Sequence, residues 1–144
     1  MRVCLGDENV YNNLYFAWID SRIFHIINDF NTFKDYINVL DSYAISKKSI
    51  IIPGCSPKGY NMNNIFNMIN WRFCGGFFLG DKDSLINMYN LSVNNFEFFL
   101  SINNIIVWEV NYWAWLESYF NLNFDWYKAD HNDTIIQIPL ELLI

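Results

Sequence analysis

Short apolar runs alternate along the chain with longer segments in which apolar residues recur at helical spacing. The runs are rich in aromatic and β-branched residues and stop at turn-forming or acidic residues, as buried strands do. They predict strands over residues 14–19, 49–53, 71–79, 124–127 and 134–138. The periodic segments predict helices over residues 31–40, 82–100 and 105–120. Strands that alternate with helices indicate the α/β class.

Chain length and hydropathy bound the organisation. The 144 residues fit a single domain over 1–144, and no internal repeat or linker divides them. No apolar run approaches the ~20 residues of a membrane span, so we expect no transmembrane segment. Residues 1–13 lack the basic end and apolar run of a secretory signal. These features predict a soluble, cytoplasmic protein.

Charge and cysteine usage exclude some functions. The formal net charge of −6 makes nucleic acid an improbable partner, because phosphate backbones are bound by clustered Lys and Arg. The three cysteines, Cys4, Cys55 and Cys74, are odd in number and show no CxxC spacing. This argues against a disulfide framework or a zinc ribbon and suits a reducing compartment.

Asp20 is the first candidate for chemistry. It follows the first predicted strand, and the carboxyl ends of strands are where open α/β sheets bind ligands. A carboxylate there can hold a divalent cation that neutralises a diphosphate. The alternative is a turn or helix-capping aspartate, closed by Ser21 and Arg22.

The second candidate is the segment 71–80, WRFCGGFFLG. Adjacent glycines weaken a strand, so Gly75 and Gly76 indicate either a bulge or a place where a ligand approaches the backbone. Arg72 has two possible partners, a phosphate or an acidic side chain. The segment is not a GxGxxG dinucleotide motif.

The third candidate is the aromatic segment 107–117. On a helix Glu109 shares a face with Trp113, and a carboxylate beside indoles suits a sugar site, with Glu109 as general base. The alternative is a core helix in which Glu109 pairs with an arginine such as Arg72.

The fourth candidate is the polar run 130–133, DHND, in which His131 could ligate a metal together with the remote Asp20. The alternative is an Asx turn between two strands. His25 lies on an apolar segment and is expected to be a core histidine.

Four segments together resemble the HtrL/YibB-like family of glycosyltransferase-like proteins, which are linked with surface-polysaccharide biosynthesis and have viral relatives. They are Phe16–Asp20 (FAWID), Ile23–Ile26 (IFHI), Trp71–Gly80 and Trp108–Asn111 (WEVN). The resemblance runs from about Tyr11 to Pro139. It implies a GT-A-type transferase that uses Mn²⁺ or Mg²⁺, a nucleotide-sugar donor, and a glycan or lipid-linked acceptor.

The resemblance also implies residue roles. Asp20 would be the last acid of a cation-binding Asp-x-Asp motif whose first position here is Trp18, and His131 would complete the cation site. Arg72 would bind the diphosphate, and Glu109 would be the acceptor-side base. Gly75 and Gly76 would border the donor sugar and the acceptor.

Two departures from the family pattern shape the expected fold. After the strand-end acid the relatives usually carry x-Gly, as in Trp-Ile-Asp-x-Gly, whereas this chain has Ser21-Arg22. In addition, only nineteen residues precede Asp20, too few for the βαβ unit that grips the nucleotide base in GT-A enzymes. The resemblance therefore implies a truncated, partial GT-A-like mixed sheet flanked by helices, the C-terminal portion of such an enzyme. The alternatives are a non-catalytic carbohydrate-binding or interaction module that uses the Trp108–Trp115 surface, or an inactive remnant.

Overall fold

The computed structural model describes residues 14–42, 45–120 and 122–144. Within these ranges the chain forms four strands, β1 (Tyr15–Ile19), β2 (Ile50–Gly54), β3 (Phe77–Asp81) and β4 (Phe124–Lys128). The helices are α1 (Phe30–Ser42), α2 (Lys82–Asn103) and α3 (Glu109–Tyr119), with short 3₁₀ segments between elements. The predicted α/β character is confirmed. Residues 1–13, which include Cys4 and the segment assessed for a signal sequence, lie outside the described ranges.

The strands form one mixed sheet in the order β1-β3-β2-β4. β3 is antiparallel to both β1 and β2, whereas β2 and β4 are parallel. β1, β2 and β4 therefore point the same way and end at one side of the sheet, where β3 begins. We call this side the carboxyl edge. Asp20 follows β1 there, and Cys55 follows β2.

The sheet is a middle layer with a core on each face. Every residue of β2 and β3 is buried, which explains why both strands are apolar except for Asp81, the last residue of β3, which caps α2. Ile51 packs into the core that includes residues of α1 and the C-terminal segment, whereas Ile50 and Ile52 pack into the core formed with α2 and α3. This alternation follows the two-residue period of a strand.

Two predicted strands are corrected by the structure. β3 begins only at Phe77, because residues 71–76 turn beside the end of β2. Residues 133–136 form a 3₁₀ helix instead of a strand over 134–138. The side chain of Asn132 accepts a hydrogen bond from the Thr134 amide (2.9 Å), and such local bonds compete with strand pairing.

The helix predicted over residues 105–120 is also shorter than expected. α2 ends at Asn103, and the capping residue Asn104, with its positive φ of 50° and an amide that donates to the Leu100 carbonyl, closes the helix. The chain then runs without helix to Trp108, and α3 starts at Glu109. Glu109 is therefore the first residue of a helix and not a mid-helix residue.

None of the helices in the described part of the chain combines the length and the apolar character that a bilayer span requires.

Candidate functional site

A pocket of about 130 Å³ opens at the carboxyl edge, between the end of β1 and the start of α3. Residues from four separated parts of the chain line it: Asp20, Ile23, His25, Ile26, Ile69, Trp71, Gly75, Gly76, Trp108, Glu109, Val110 and His131. The structure thus brings together five of the six residues that the sequence analysis selected. Arg72 is the one that does not line the pocket.

Asp20 serves a turn and the pocket at once. Its amide donates to the Gly76 carbonyl (2.9 Å), which ties the end of β1 to the start of β3. Its Oδ1 accepts from the Arg22 amide (2.7 Å), so the predicted turn alternative is present. A carboxylate has about four acceptor positions, so one such bond leaves capacity for a ligand hydroxyl or a cation.

The absence of a side chain at Gly75 leaves room for the Glu109 carboxylate. A Cβ atom at Gly75 would lie 2.6 Å from Glu109 Oε1, whereas one at Gly76 would meet nothing nearer than 3.8 Å. The Gly75 carbonyl accepts a hydrogen bond from the indole Nε1 of Trp18 (3.2 Å). Trp18 therefore helps to hold the glycine turn in place.

Glu109 is exposed at the first position of α3. A carboxylate there is favoured by the partial positive charge of the helix N-terminus, which also keeps it at the pocket mouth. The indoles predicted to surround it lie elsewhere. Trp113 is half-buried against Phe78 and Trp115 is only 2% exposed, which leaves Trp108, 48% exposed, as the accessible indole of the Trp108–Trp115 surface.

Arg72 is a core residue. Its Nε and Nη2 donate to the two carboxylate oxygens of Glu117, each at 2.8 Å, and its Nη1 donates to the Ser56 carbonyl (3.1 Å). The guanidinium lies over the rings of Phe73 and Trp126, and the residue is 4% exposed. Of the two partners left open by the sequence, the structure contains the acidic one, and that acid is Glu117 instead of Glu109.

His131 closes the pocket from the β4 side. Its ring centroid lies 5.0 Å from that of Trp71 and 5.6 Å from that of His25. The predicted Asx turn is also present, because Asn132 Oδ1 accepts from the amide and the hydroxyl of Thr134. The two acids of this run, Asp130 and Asp133, do not line the pocket.

His25 is a pocket residue that the sequence analysis placed wrongly in the core. It is exposed, and its Nδ1 donates to the Arg22 carbonyl, which places the free lone pair of the neutral ring on Nε2. Ile23 and Ile27 are buried on either side of it. Because the residue at the start of the 3₁₀ segment Ile23–His25 and the residue just beyond its end are buried, His25 faces outward, and the spacing of the two isoleucines was the available signal.

The pocket chemistry suits a small polyhydroxylated ligand. Carboxylates accept hydrogen bonds from hydroxyls, imidazoles both donate and accept, and an exposed indole stacks on the apolar face of a sugar ring. Among the described residues, no group of three or more His, Cys, Asp or Glu side chains is arranged to hold a metal ion. Manganese or magnesium binding by Asp20 and His131 therefore stays a prediction.

A larger cavity of about 440 Å³ lies between α1 and residues 133–137. Its lining combines three aliphatic residues, two side-chain amides and two hydroxyl side chains with three aspartates. One of these, Asp29, is engaged at the start of α1, where hydrogen bonds from the Thr32 side chain and the Asn31 amide lower its pKa. We favour the smaller pocket as the functional site, because side chains from four parts of the chain converge on it.

Comparison with known proteins identifies no relative of this chain. No family model, no curated protein and no solved structure matches the chain. The role of the pocket is therefore argued from its own residues.

Proposed function

We propose that this chain is a glycosyltransferase-like protein and that the carboxyl-edge pocket binds a sugar in transfer from a nucleotide donor to a glycan or lipid-linked acceptor. The observation that carries the proposal is the convergence of Asp20, Glu109 and His131 on one pocket. Each of these side chains had an ordinary structural explanation in the sequence. An independent structural role for each would not require that they meet.

The position of the pocket supports binding. The carboxyl ends of strands in open α/β sheets form crevices, and here Asp20 and His131 follow two strands that end at the same edge. Both residues lie in short connecting segments, Asp20 directly after β1 and His131 three residues after the end of β4. This placement limits their movement, as a preformed site requires.

The size of the pocket bears on what it holds. Its volume of about 130 Å³ is below the ~300–1,000 Å³ of pockets that enclose drug-sized ligands. We therefore assign it to a single sugar ring, with the nucleotide part of the donor lying outside it.

The residues support a simple transfer step. An acceptor hydroxyl oxygen attacks the anomeric carbon of the donor, the bond from that carbon to the diphosphate oxygen breaks, and the nucleoside diphosphate leaves. Glu109 accepts the hydroxyl proton, a role that needs a reachable carboxylate. Asp20 and the two imidazoles orient sugar hydroxyls. If Mn²⁺ or Mg²⁺ takes part, Asp20 and His131 are the residues that would hold it, and the ion would neutralise the leaving diphosphate.

Release of nucleoside diphosphate from a panel of nucleotide sugars, at millimolar Mn²⁺ and Mg²⁺, tests the proposal. Asp20→Asn keeps an Oδ1 acceptor for the Arg22 amide and removes the charge, and Glu109→Gln removes the base. We expect Glu109→Gln to lower turnover by about 10²-fold or more, the usual scale for a lost acid–base group, and Asp20→Asn to lower it by weakening the hold on the sugar hydroxyls or the cation. The matched control is Asp83→Asn, an exposed first-turn acid of α2 outside the pocket. The proposal would be wrong if the unsubstituted protein and the three variants had equal turnover, or if no nucleotide sugar released nucleoside diphosphate.

A further inference from the structure

Two thiols meet beside the pocket. Cys55 follows β2 and Cys74 precedes Gly75, and their Sγ atoms lie 3.7 Å apart, separated by 19 positions along the chain. In the described part of the chain both are free cysteines. The odd cysteine count argued against a disulfide framework, but it does not exclude one reactive pair.

The backbone holds the two cysteines side by side. The Cys55 amide donates to the Trp71 carbonyl (3.0 Å), and the Cys74 amide donates to the Pro53 carbonyl (2.8 Å). These bonds fix the turn 71–76 against the end of β2. A disulfide needs sulfur atoms ~2.05 Å apart, so the two Sγ atoms, now 3.7 Å apart, must approach each other by about 1.7 Å for the bond to form.

We propose that Cys55 and Cys74 form a reversible intramolecular disulfide, a thiol-oxidation site at the border of the carboxyl-edge pocket. Its oxidant is a peroxide or a small-molecule disulfide. This inference concerns the thiols alone and does not rest on the proposed transferase function.

The two cysteines have different roles in the oxidation. Cys74 is fully buried, and burial, followed by the charge of the neighbouring Cys55, raises the pKa of its thiol, so it stays protonated. Cys55 is half-buried, so of the two cysteines it is the more accessible to an oxidant in solution. The pair thus has an accessible first sulfur and a sheltered second one, the arrangement of an attacking and a resolving cysteine.

The chemistry balances with one peroxide. The Cys55 thiolate attacks a peroxide oxygen, the O–O bond breaks, and Cys55 becomes a sulfenic acid while the released hydroxide takes up the thiol proton to form water. Cys74 Sγ then attacks the Cys55 sulfur, the S–O bond breaks, and the leaving hydroxide takes the Cys74 proton as a second water. Two electrons pass from the sulfurs to the peroxide, and a dithiol reductant reverses the change.

The disulfide would fix the turn that carries Gly75. A covalent bond between positions 55 and 74 removes conformational freedom from the unfolded chain, because it closes a loop there. Oxidation should therefore raise the melting temperature, and reduction should lower it again.

Peptide mapping of a Cys4→Ser protein, which retains only Cys55 and Cys74, tests the inference. After treatment with a small excess of hydrogen peroxide, we expect the peptides with Cys55 and Cys74 to be linked, with loss of two hydrogen atoms, and a higher melting temperature that dithiothreitol reverses. Cys55→Ser in the same background should show no shift. Cys74→Ala is the second control. Without the second thiol, oxidation should stop at Cys55 sulfenic acid or proceed to its further oxidation products, with no linked peptides. Free thiols or oxidised but unlinked Cys55 in the Cys4→Ser protein would overturn the proposal.

Discussion

At the scale of single residues, Gly75 is the position where structure and proposed function are most tightly joined. Gly75→Ala places a methyl carbon 2.6 Å from Glu109 Oε1 and 3.2 Å from Cγ1 of the buried Val110. The carboxylate is the tip of an exposed side chain and can swing away, and Val110 must shift by only a few tenths of an ångström, so we expect a loss in folding stability of about 1 kcal/mol. Sugar binding should fall at least about tenfold, which corresponds to ~1.4 kcal/mol.

Gly76→Ala is the matched control for this variant. Its added Cβ meets only Ile23 and Ile26, at 3.8 Å or more, an ordinary contact distance. Ligand titration and thermal denaturation of both variants separate the two effects. If Gly75→Ala binds sugar as the unsubstituted protein does, Glu109 has no part in the site.

The buried pair of Arg72 and Glu117 gives a second residue-scale prediction. Glu117→Gln leaves a guanidinium without its counter-charge in a site where both side chains are at most 5% exposed. Removal of one partner from such a pair costs about 3–5 kcal/mol, and we expect a loss of that order in the free energy of unfolding measured with urea.

An exposed pair supplies the comparison. Lys47 Nζ lies 3.7 Å from Asp125 Oδ2, and both side chains are partly exposed. Water screens this pair, so Lys47→Gln should lower the free energy of unfolding by less than about 1 kcal/mol. Equal losses from the two variants would mean that Arg72 is not held as the structure describes.

At the scale of elements, contact between α2 and α3 depends in part on one hydroxyl. Tyr112 Oη in α3 donates to the Ser92 carbonyl in α2 (2.6 Å), and burial raises the pKa of Tyr112 to about 12. An unfolded tyrosine titrates near pH ~10, so the folded protein holds this proton more tightly. The resulting stability is complete below pH ~10 and is lost as the pH rises through the folded pKa.

Tyr112→Phe tests this dependence. The variant should lose about 1 kcal/mol at neutral pH, through the missing hydrogen bond, and its stability should fall less steeply above pH ~10. Burial also raises the pKa of Tyr127, so some alkaline dependence remains. Urea denaturation at a series of alkaline pH values measures both effects, and identical slopes for the two proteins would contradict the account.

Elements that depend on local pattern were predictable from the sequence. β1 and α1 differ from their predicted bounds by no more than two residues, and α2 begins at Lys82 as predicted, because Asp81 caps it through the Asp83 and Ser84 amides. Prediction failed where the local conformation depends on a side-chain hydrogen bond or on contact with a distant strand. Residues 71–76 turn because they bond to β2, and residues 133–136 turn because Asn132 caps them.

At the scale of the whole molecule, the sequence predicted most of the site residues but not that they would line the same pocket. Five of them share one pocket because β3 lies between β1 and β2, an order that no local pattern encodes. Arg72 was predicted to be a site residue because it lies close to the two glycines in the sequence. Its true partner, Glu117, lies 45 positions away, where no local pattern indicates it. His25 was missed because its neighbours are apolar, although they anchor the turn that exposes it.

The central claim, that the carboxyl-edge pocket binds a sugar, is tested most directly by the six indole N–H signals in a ¹⁵N–¹H NMR spectrum. Trp71 and Trp108 line the pocket and Trp18 holds its glycine turn, whereas Trp113, Trp115 and Trp126 do not line it. Titration with nucleotide sugars should shift the first three signals and leave the other three unchanged, and Glu109→Gln should weaken the response. Shifts confined to Trp113, Trp115 or Trp126, or no shift with any sugar, would contradict the claim.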